Sequence, residues 1–172
     1  MKVILLDRQD KIELDIPKLK KISSYIAGKF NKDKNLELNI VFVDSEEMAI
    51  LNKKYRDKEG ATDVLSFSYN NIISPDRAAK DKNFLLSELF DSAHGFTVAG
   101  EVIICPELAE ENAKKNSPKF FSGWDTVREI IVLIIHGVLH IYDYDHETRE
   151  DMLKMESIQN SILNDIVSNF QV

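Results

Sequence analysis

The chain has 172 residues, 44% of them hydrophobic, which is enough for one well-buried core and short for two, so a single domain over residues 1–172 is expected. A formal net charge of −7 excludes a broad nonspecific grip on nucleic acid, and no DNA partner is expected; a local basic face remains open, because residues 1–35 hold nine Lys/Arg against five Asp/Glu. The lone cysteine, Cys105, excludes a disulfide framework and a thiolate-rich structural metal site, and with no signal-like or membrane-spanning run in view the cytoplasm is the expected compartment, with no membrane partner.

Taken in order, residues 2–6 read as a strand. Ile16 to Phe30 reads as an amphipathic helix, with Leu19, Ile22, Ile26 and Phe30 at helical spacing and Pro17 in the first turn, where the missing N–H costs nothing. Leu36 to Val43 is rich in β-branched and aromatic residues and reads as a second strand. Asp44 with Glu47 has capping-box spacing and opens a helix through Met48, Leu51 and Tyr55, with Gly60 expected to end it. A third strand is expected at Asp63 to Tyr69. Residues 70–95 show no clear period apart from one or two possible helical turns at Phe84 to Leu89, and read as a long, mobile excursion. A fourth strand at Phe96 to Cys105 and a short helix from Glu107 to Lys115, behind Pro106, come next.

Thr126 to about Ile141 is apolar nearly all the way round, as a buried central helix should be. Its β-branched content leaves a strand as the competing reading. Thr148 with Asp151 opens a last helix whose face is Met152, Met155, Ile158, Ile162, Ile166 and Phe170. The sum is an α+β fold, a single domain with a mixed sheet of about four strands packed against several helices.

Three of the chain's four histidines, His136, His140 and His146, lie within eleven residues. On a helix, His136 and His140 stand one turn apart on the same face, with side-chain bases about 5–6 Å apart, within reach of one ion. On a strand the same four steps would separate them by roughly 13 Å. A five-residue departure from the helix can swing His146 back over that face. Three neutral imidazoles with one open position are the pattern of a catalytic zinc, so one zinc ion is expected at the end of the buried central helix, although such a set also accepts nickel or copper.

Zincin peptidases carry a glutamate directly after the first histidine, where it serves as general base; here that position is Gly137. This turns the reading from peptides toward phosphoryl chemistry, in which positive groups stabilise developing charge. Arg56 and Lys58, at the end of a helix and ahead of the strand Thr62-Asp63-Val64-Leu65-Ser66-Phe67, are the candidate positive groups, with helix capping and solubility as the plainer role. Asp145 beside His146 is a candidate partner or base, set against an exposed turn carboxylate. Tyr142 and Tyr144 can stack a base or pack in the core.

The stretch Leu51 to Phe67, the strand Gly100-Glu101-Val102-Ile103-Ile104, the run His136 to His146, and Met155 with Glu156 resemble, in this order, the YbeY family of bacterial metal-dependent endoribonucleases. The resemblance implies zinc on His136, His140 and His146, an arginine needed for activity at Arg56, and single-stranded RNA as substrate. It also implies maturation of the 3′ end of small-subunit 16S ribosomal RNA, ribosome quality control and the small ribosomal subunit as partner. A zinc metallopeptidase-like hydrolase and a ribosome-associated binding protein with a structural metal are the alternatives. The chain departs from the family pattern at Asp143, where glycine is usual, at Glu101 and Ala61, where aspartate and proline are usual, and in the length of the 70–95 excursion. Asp143 leaves two arrangements open: the same left-handed turn with some strain, or a different approach of His146.

Overall fold

The computed structural model describes residues 1–69, 97–120 and 124–172. In chain order the elements are β1 (Lys2–Asp7), α1 (Ile16–Phe30), β2 (Leu36–Phe42), α2 (Ser45–Arg56), β3 (Val64–Ser68), β4 (Thr97–Ile104), α3 (Pro106–Phe120), α4 (Thr126–Ile141) and α5 (Arg149–Phe170). The excursion expected at residues 70–95, with its helical turns and His94, lies outside the described residues.

The four strands form one mixed sheet in the order β1-β2-β4-β3, with β1, β2 and β4 parallel and β3 antiparallel to β4. Every residue of β2 is buried, as a central strand covered on both faces requires. Leu38, Ile40, Phe42, Val102 and Ile104 point to one face, where they meet apolar residues of α1, α4 and α5. Val41, Val43, Ile103, Cys105 and Leu65 point to the other, against Met48 and Leu51 of α2. The α+β expectation therefore holds.

Local chemistry sets the ends of the helices. Asp15, Asp44, Asp125 and Thr148 each cap a helix N-terminus by accepting from the backbone N–H three residues on. Asp44 does so without a reciprocal box: Glu47 turns its carboxylate to Arg8 at 3.0 Å, while the Ser45 N–H donates to Glu107 at 2.7 Å. Gly60 does not end α2. The helix stops at Arg56 because Asp57 takes the left-handed conformation, with φ at 53°, and its N–H returns to the Asn52 and Lys53 carbonyls. Gly60, at φ 83°, makes a second turn, and its carbonyl accepts from the Asn52 side chain at 2.8 Å. The inner face of α5 begins later than expected: Met152 and Leu153 are exposed, and Met155, Ile162, Leu163 and Ile166 are buried.

Two glycines let α4 lie close on the sheet. A Cβ at Gly137 would sit 2.6 Å from Val102 Cγ1, and one at Gly100 would sit 2.6 Å from the Phe67 carbonyl oxygen and 2.8 Å from Ile141 Cδ1. The Ser68 hydroxyl donates to the Ile141 carbonyl at 3.2 Å, fixing the end of α4 beside the edge strand β3.

Candidate metal centre

The last turns of α4 carry His136 and His140 one turn apart. Their Nε2 atoms face each other at 3.1 Å, and their ring centroids are 4.6 Å apart. After Ile141 the chain leaves the helix through Tyr142 and Asp143. Asp143 adopts φ 60°, so of the two arrangements left open the left-handed turn is the one taken. It returns His146 to the pair, with ring centroids 5.9 Å from His136 and 5.2 Å from His140.

One ligand nitrogen from each of the three rings lies within 4.8 Å of the others. Tetrahedral zinc with Zn–N distances of about 2.0–2.1 Å holds its nitrogens about 3.3–3.4 Å apart, so the widest pair must draw together by up to about 1.4 Å on binding, and His146, the exposed member, is the ring with room to move. The donor set therefore fits one borderline divalent ion. Burial, followed by the neighbouring His140 and His146, pushes the His136 pKa down to about 4. Burial and then His146 lower that of His140 as well. Both rings are thus neutral near pH 7, the form that presents lone pairs to a metal.

The surroundings order the rings. The Asp145 carboxylate lies 3.6 Å from His146 Nδ1 and accepts the His146 backbone N–H at 2.7 Å, so it stands beside the third histidine within the turn. Gln159 of α5 hydrogen-bonds His136, and the charge of Asp63, at the start of β3, is felt there too. Gln159 escaped sequence reasoning, although a polar residue beside the apolar stripe of α5 was its visible signal. Arg56 stands at the C-terminus of α2, close enough for its positive charge to lower the His140 pKa. Lys58 is exposed in the following turn, its backbone N–H on the Asn52 carbonyl at 3.5 Å. Tyr142 and Tyr144 pack on Phe30.

Gly137 now has a structural reason. Its α-carbon faces Val102 of β4, so any side chain there, a glutamate included, would have to displace the sheet residue it meets. No helix among the described residues is long and apolar enough to cross a membrane.

Fold and site together define a class: an α+β protein on a single mixed sheet, with a three-histidine cluster able to hold one metal ion at the end of its central helix. Comparison with known proteins narrows this. The chain belongs to the Endoribonuclease YbeY family, whose model matches residues 5–167. The Endoribonuclease YbeY of Bifidobacterium animalis subsp. lactis is 30% identical over 151 residues, 88% of this chain and 72% of that protein. That of Lachnospira eligens is 29% identical over 163 residues, 91% of this chain and 92% of its own length. The solution structure of TM1509 from Thermotoga maritima shares the fold, with a TM-score of 0.54 and 23% identity over 97% of this chain and 93% of that one.

Proposed function

We propose that this protein is a zinc-dependent, single-strand-specific endoribonuclease that acts in ribosomal RNA processing, at the 3′ end of small-subunit 16S RNA, and in ribosome quality control. Its metal ligands are His136, His140 and His146, and its activity depends on Arg56. The observation that carries the reading is the convergence of three imidazole nitrogens within 4.8 Å, with the charge of Arg56 reaching one of them, His140. Family membership supplies the reaction, cleavage within an RNA chain.

An ion bound there supplies Lewis-acid stabilisation of a phosphoryl oxygen or a hydroxide at neutral pH. The chain's own groups do the rest. His136 and His140 stay neutral because the core shields them from water, which keeps their nitrogens available. Asp145 holds His146 toward the other two rings. Arg56 presents a permanent positive charge to the negative phosphodiester and to the charge that grows on it in the transition state. Lys58 adds a second cation at the mouth of the same turn. The overall charge of −7 keeps RNA from binding elsewhere, so recognition concentrates on this basic corner and on the small ribosomal subunit as docking partner.

The deciding experiment is metal analysis of the purified protein paired with cleavage of a single-stranded RNA by wild type, His140→Ala and Arg56→Ala. His140→Ala loses bound zinc and cleavage together. Arg56→Ala keeps fold and metal and loses cleavage by on the order of 10²- to 10³-fold, the usual cost of removing one transition-state donor. Stoichiometric metal in His140→Ala overturns the ligand assignment. Intact RNA with wild type fully metal-loaded overturns the catalytic reading and leaves a binding protein with a structural metal.

A further inference from the structure

We propose that Phe30, at the last position of α1, is a positioning residue for the metal centre: with Tyr142 and Tyr144 it forms an aromatic clamp that holds the turn carrying His146. The proposal rests on the reading of the three histidines as ligands. The first observation is the packing. The Tyr142 ring stacks on Phe30 with centroids 5.1 Å apart and an interplanar angle of 27°, and the Tyr144 ring meets Phe30 edge-on at 6.5 Å and 73°. From the α5 side, the Lys154 ammonium sits over the Tyr144 ring, 5.7 Å from its centroid. The Tyr142 hydroxyl reaches Sδ of Met1, the residue before β1, at 3.8 Å, a further contact on this ring.

The second observation is what the clamped residues do with their backbones. Tyr142 N–H is shared between the Val138 and Leu139 carbonyls at 3.1 Å each, Asp143 N–H donates to His140 O at 3.1 Å, and Tyr144 N–H donates to Leu139 O at 3.0 Å. The Tyr144 backbone also stands beside the His140 ring, where it favours the protonated form. Tyr144 therefore sets the path of the chain two residues before the third ligand, next to the ring of the second. His146 is exposed and cannot hold its own position by burial. The ring contacts of Phe30 among the described residues are with the two tyrosines, and it acts through them.

A clamp of this kind makes the site before the metal arrives. Groups that orient metal ligands typically change metal affinity by about 10- to 100-fold when removed, without being ligands themselves. A core residue that merely packs changes the stability of the fold and leaves the affinity of the folded protein alone. These two roles separate in one experiment on the full chain. Zinc affinity is measured by competition with a chromophoric chelator for wild type, Phe30→Ala, Phe30→Tyr, Tyr144→Leu and His146→Ala. The visible spectrum of each cobalt(II)-loaded protein reports the number and arrangement of nitrogen ligands, and the melting temperature of each chelated protein reports the fold.

The expected result is that Phe30→Ala and Tyr144→Leu weaken zinc binding by about 10- to 100-fold. Their cobalt spectra shift toward that of His146→Ala, and Phe30→Tyr, which keeps the ring, restores both readouts. Should Phe30→Ala fail to fold, Tyr144→Leu, which alters a partly exposed side chain, decides in its place. Unchanged affinity and an unchanged cobalt spectrum in a folded variant overturn the clamp while leaving the ligand assignment standing. Failure of the wild type to bind zinc or cobalt stoichiometrically overturns the ligand assignment and the clamp with it.

Discussion

His136 and His140 stand on a helix that the core grips on nearly every side, whereas His146 stands on a turn open to solvent. Around the first two, Ile134, Ile135, Gly137, Val138 and Leu139 are all buried, and the helix lies so close to β4 that Gly137 has no room for a Cβ. Around the third, Asp143, His146 and Glu147 are exposed, and the backbone passes through φ 60°. The difference shows how the centre is built. Two imidazoles are placed by the helix itself, and the third is delivered by a short segment whose conformation must be secured separately. The half-buried pair carries the cost of partly desolvated imidazoles, and the exposed member carries the entropy of an ordered turn.

Removing the exposed ligand gives the largest effect and separates the two regions cleanly. His146→Ala should weaken zinc binding by roughly 10²- to 10³-fold, about a quarter of the binding free energy typical of four-ligand zinc sites. The melting temperature of the chelated variant should stay within about 1 °C of wild type, since an exposed side chain contributes little to folding. Titration with zinc and a thermal melt in chelator check both halves. A large loss of stability without metal would mean that the turn is part of the core after all.

The buried side is tested from the opposite direction by Gly137→Ala. The new methyl group would meet Val102, a fully buried β-branched residue with little rotamer freedom, and overpacking of this kind costs about 1–3 kcal/mol. For a chain of this size that is a fall of about 2–4 °C in melting temperature per kcal/mol. The new methyl meets Val102 and removes no imidazole, so zinc affinity of the folded variant should change much less than in His146→Ala.

The contrast between the regions also marks what was legible in the sequence. The buried parts announced themselves through periodicity: α1 and α4 have the expected bounds, and β2 ends one residue earlier than Val43, because apolar residues at helical or strand spacing have few other ways to be buried. The histidine pair was legible for the same reason, since spacing on a helix fixes direction. Residues whose roles depend on distant neighbours were not. Gly137 read as a missing base, and its contact with Val102 exists only once α4 lies on β4. Phe30 read as the last apolar position of α1, and nothing local shows that Tyr142 and Tyr144 will stack against it. The end of α2 was misplaced because Asp57 and Gly60 both adopt left-handed backbone, and residue type alone favours the glycine.

Acid should distinguish the two regions with a smaller, graded effect. In the chelated protein, the unfolded chain binds a proton on His136 near the ordinary value of 6.5, while the folded chain resists it down to about 4. Between those values the unfolded state holds more protons, so stability is complete above about pH 6.5 and falls as the pH drops toward 4. His140, shifted in the same direction, adds to the slope. Melting temperatures of the chelated protein from pH 7.5 to 5.5 should therefore fall more steeply for wild type than for His136→Ala, with His146→Ala following wild type. Equal slopes in wild type and His136→Ala would show that the buried imidazoles do not carry the acid sensitivity.

The smallest expected effect concerns Asp143, the residue that gives the turn before His146 its left-handed backbone. Glycine would relieve the left-handed backbone at φ 60°, but it would also give the unfolded chain more freedom, worth about 0.4–1 kcal/mol in the opposite sense. Aspartate tolerates this region better than most residues, so the two contributions are of similar size, and Asp143→Gly should change stability by no more than about 0.5 kcal/mol. Asp143→Val is the informative partner. A β-branched residue at positive φ is a true outlier and costs about 1–3 kcal/mol, or else forces the turn to a different path. Because His146 depends on that path, the valine variant should lose zinc affinity along with stability, and the glycine variant should keep both. If valine leaves zinc affinity untouched, the left-handed turn is not what brings the third imidazole to the other two.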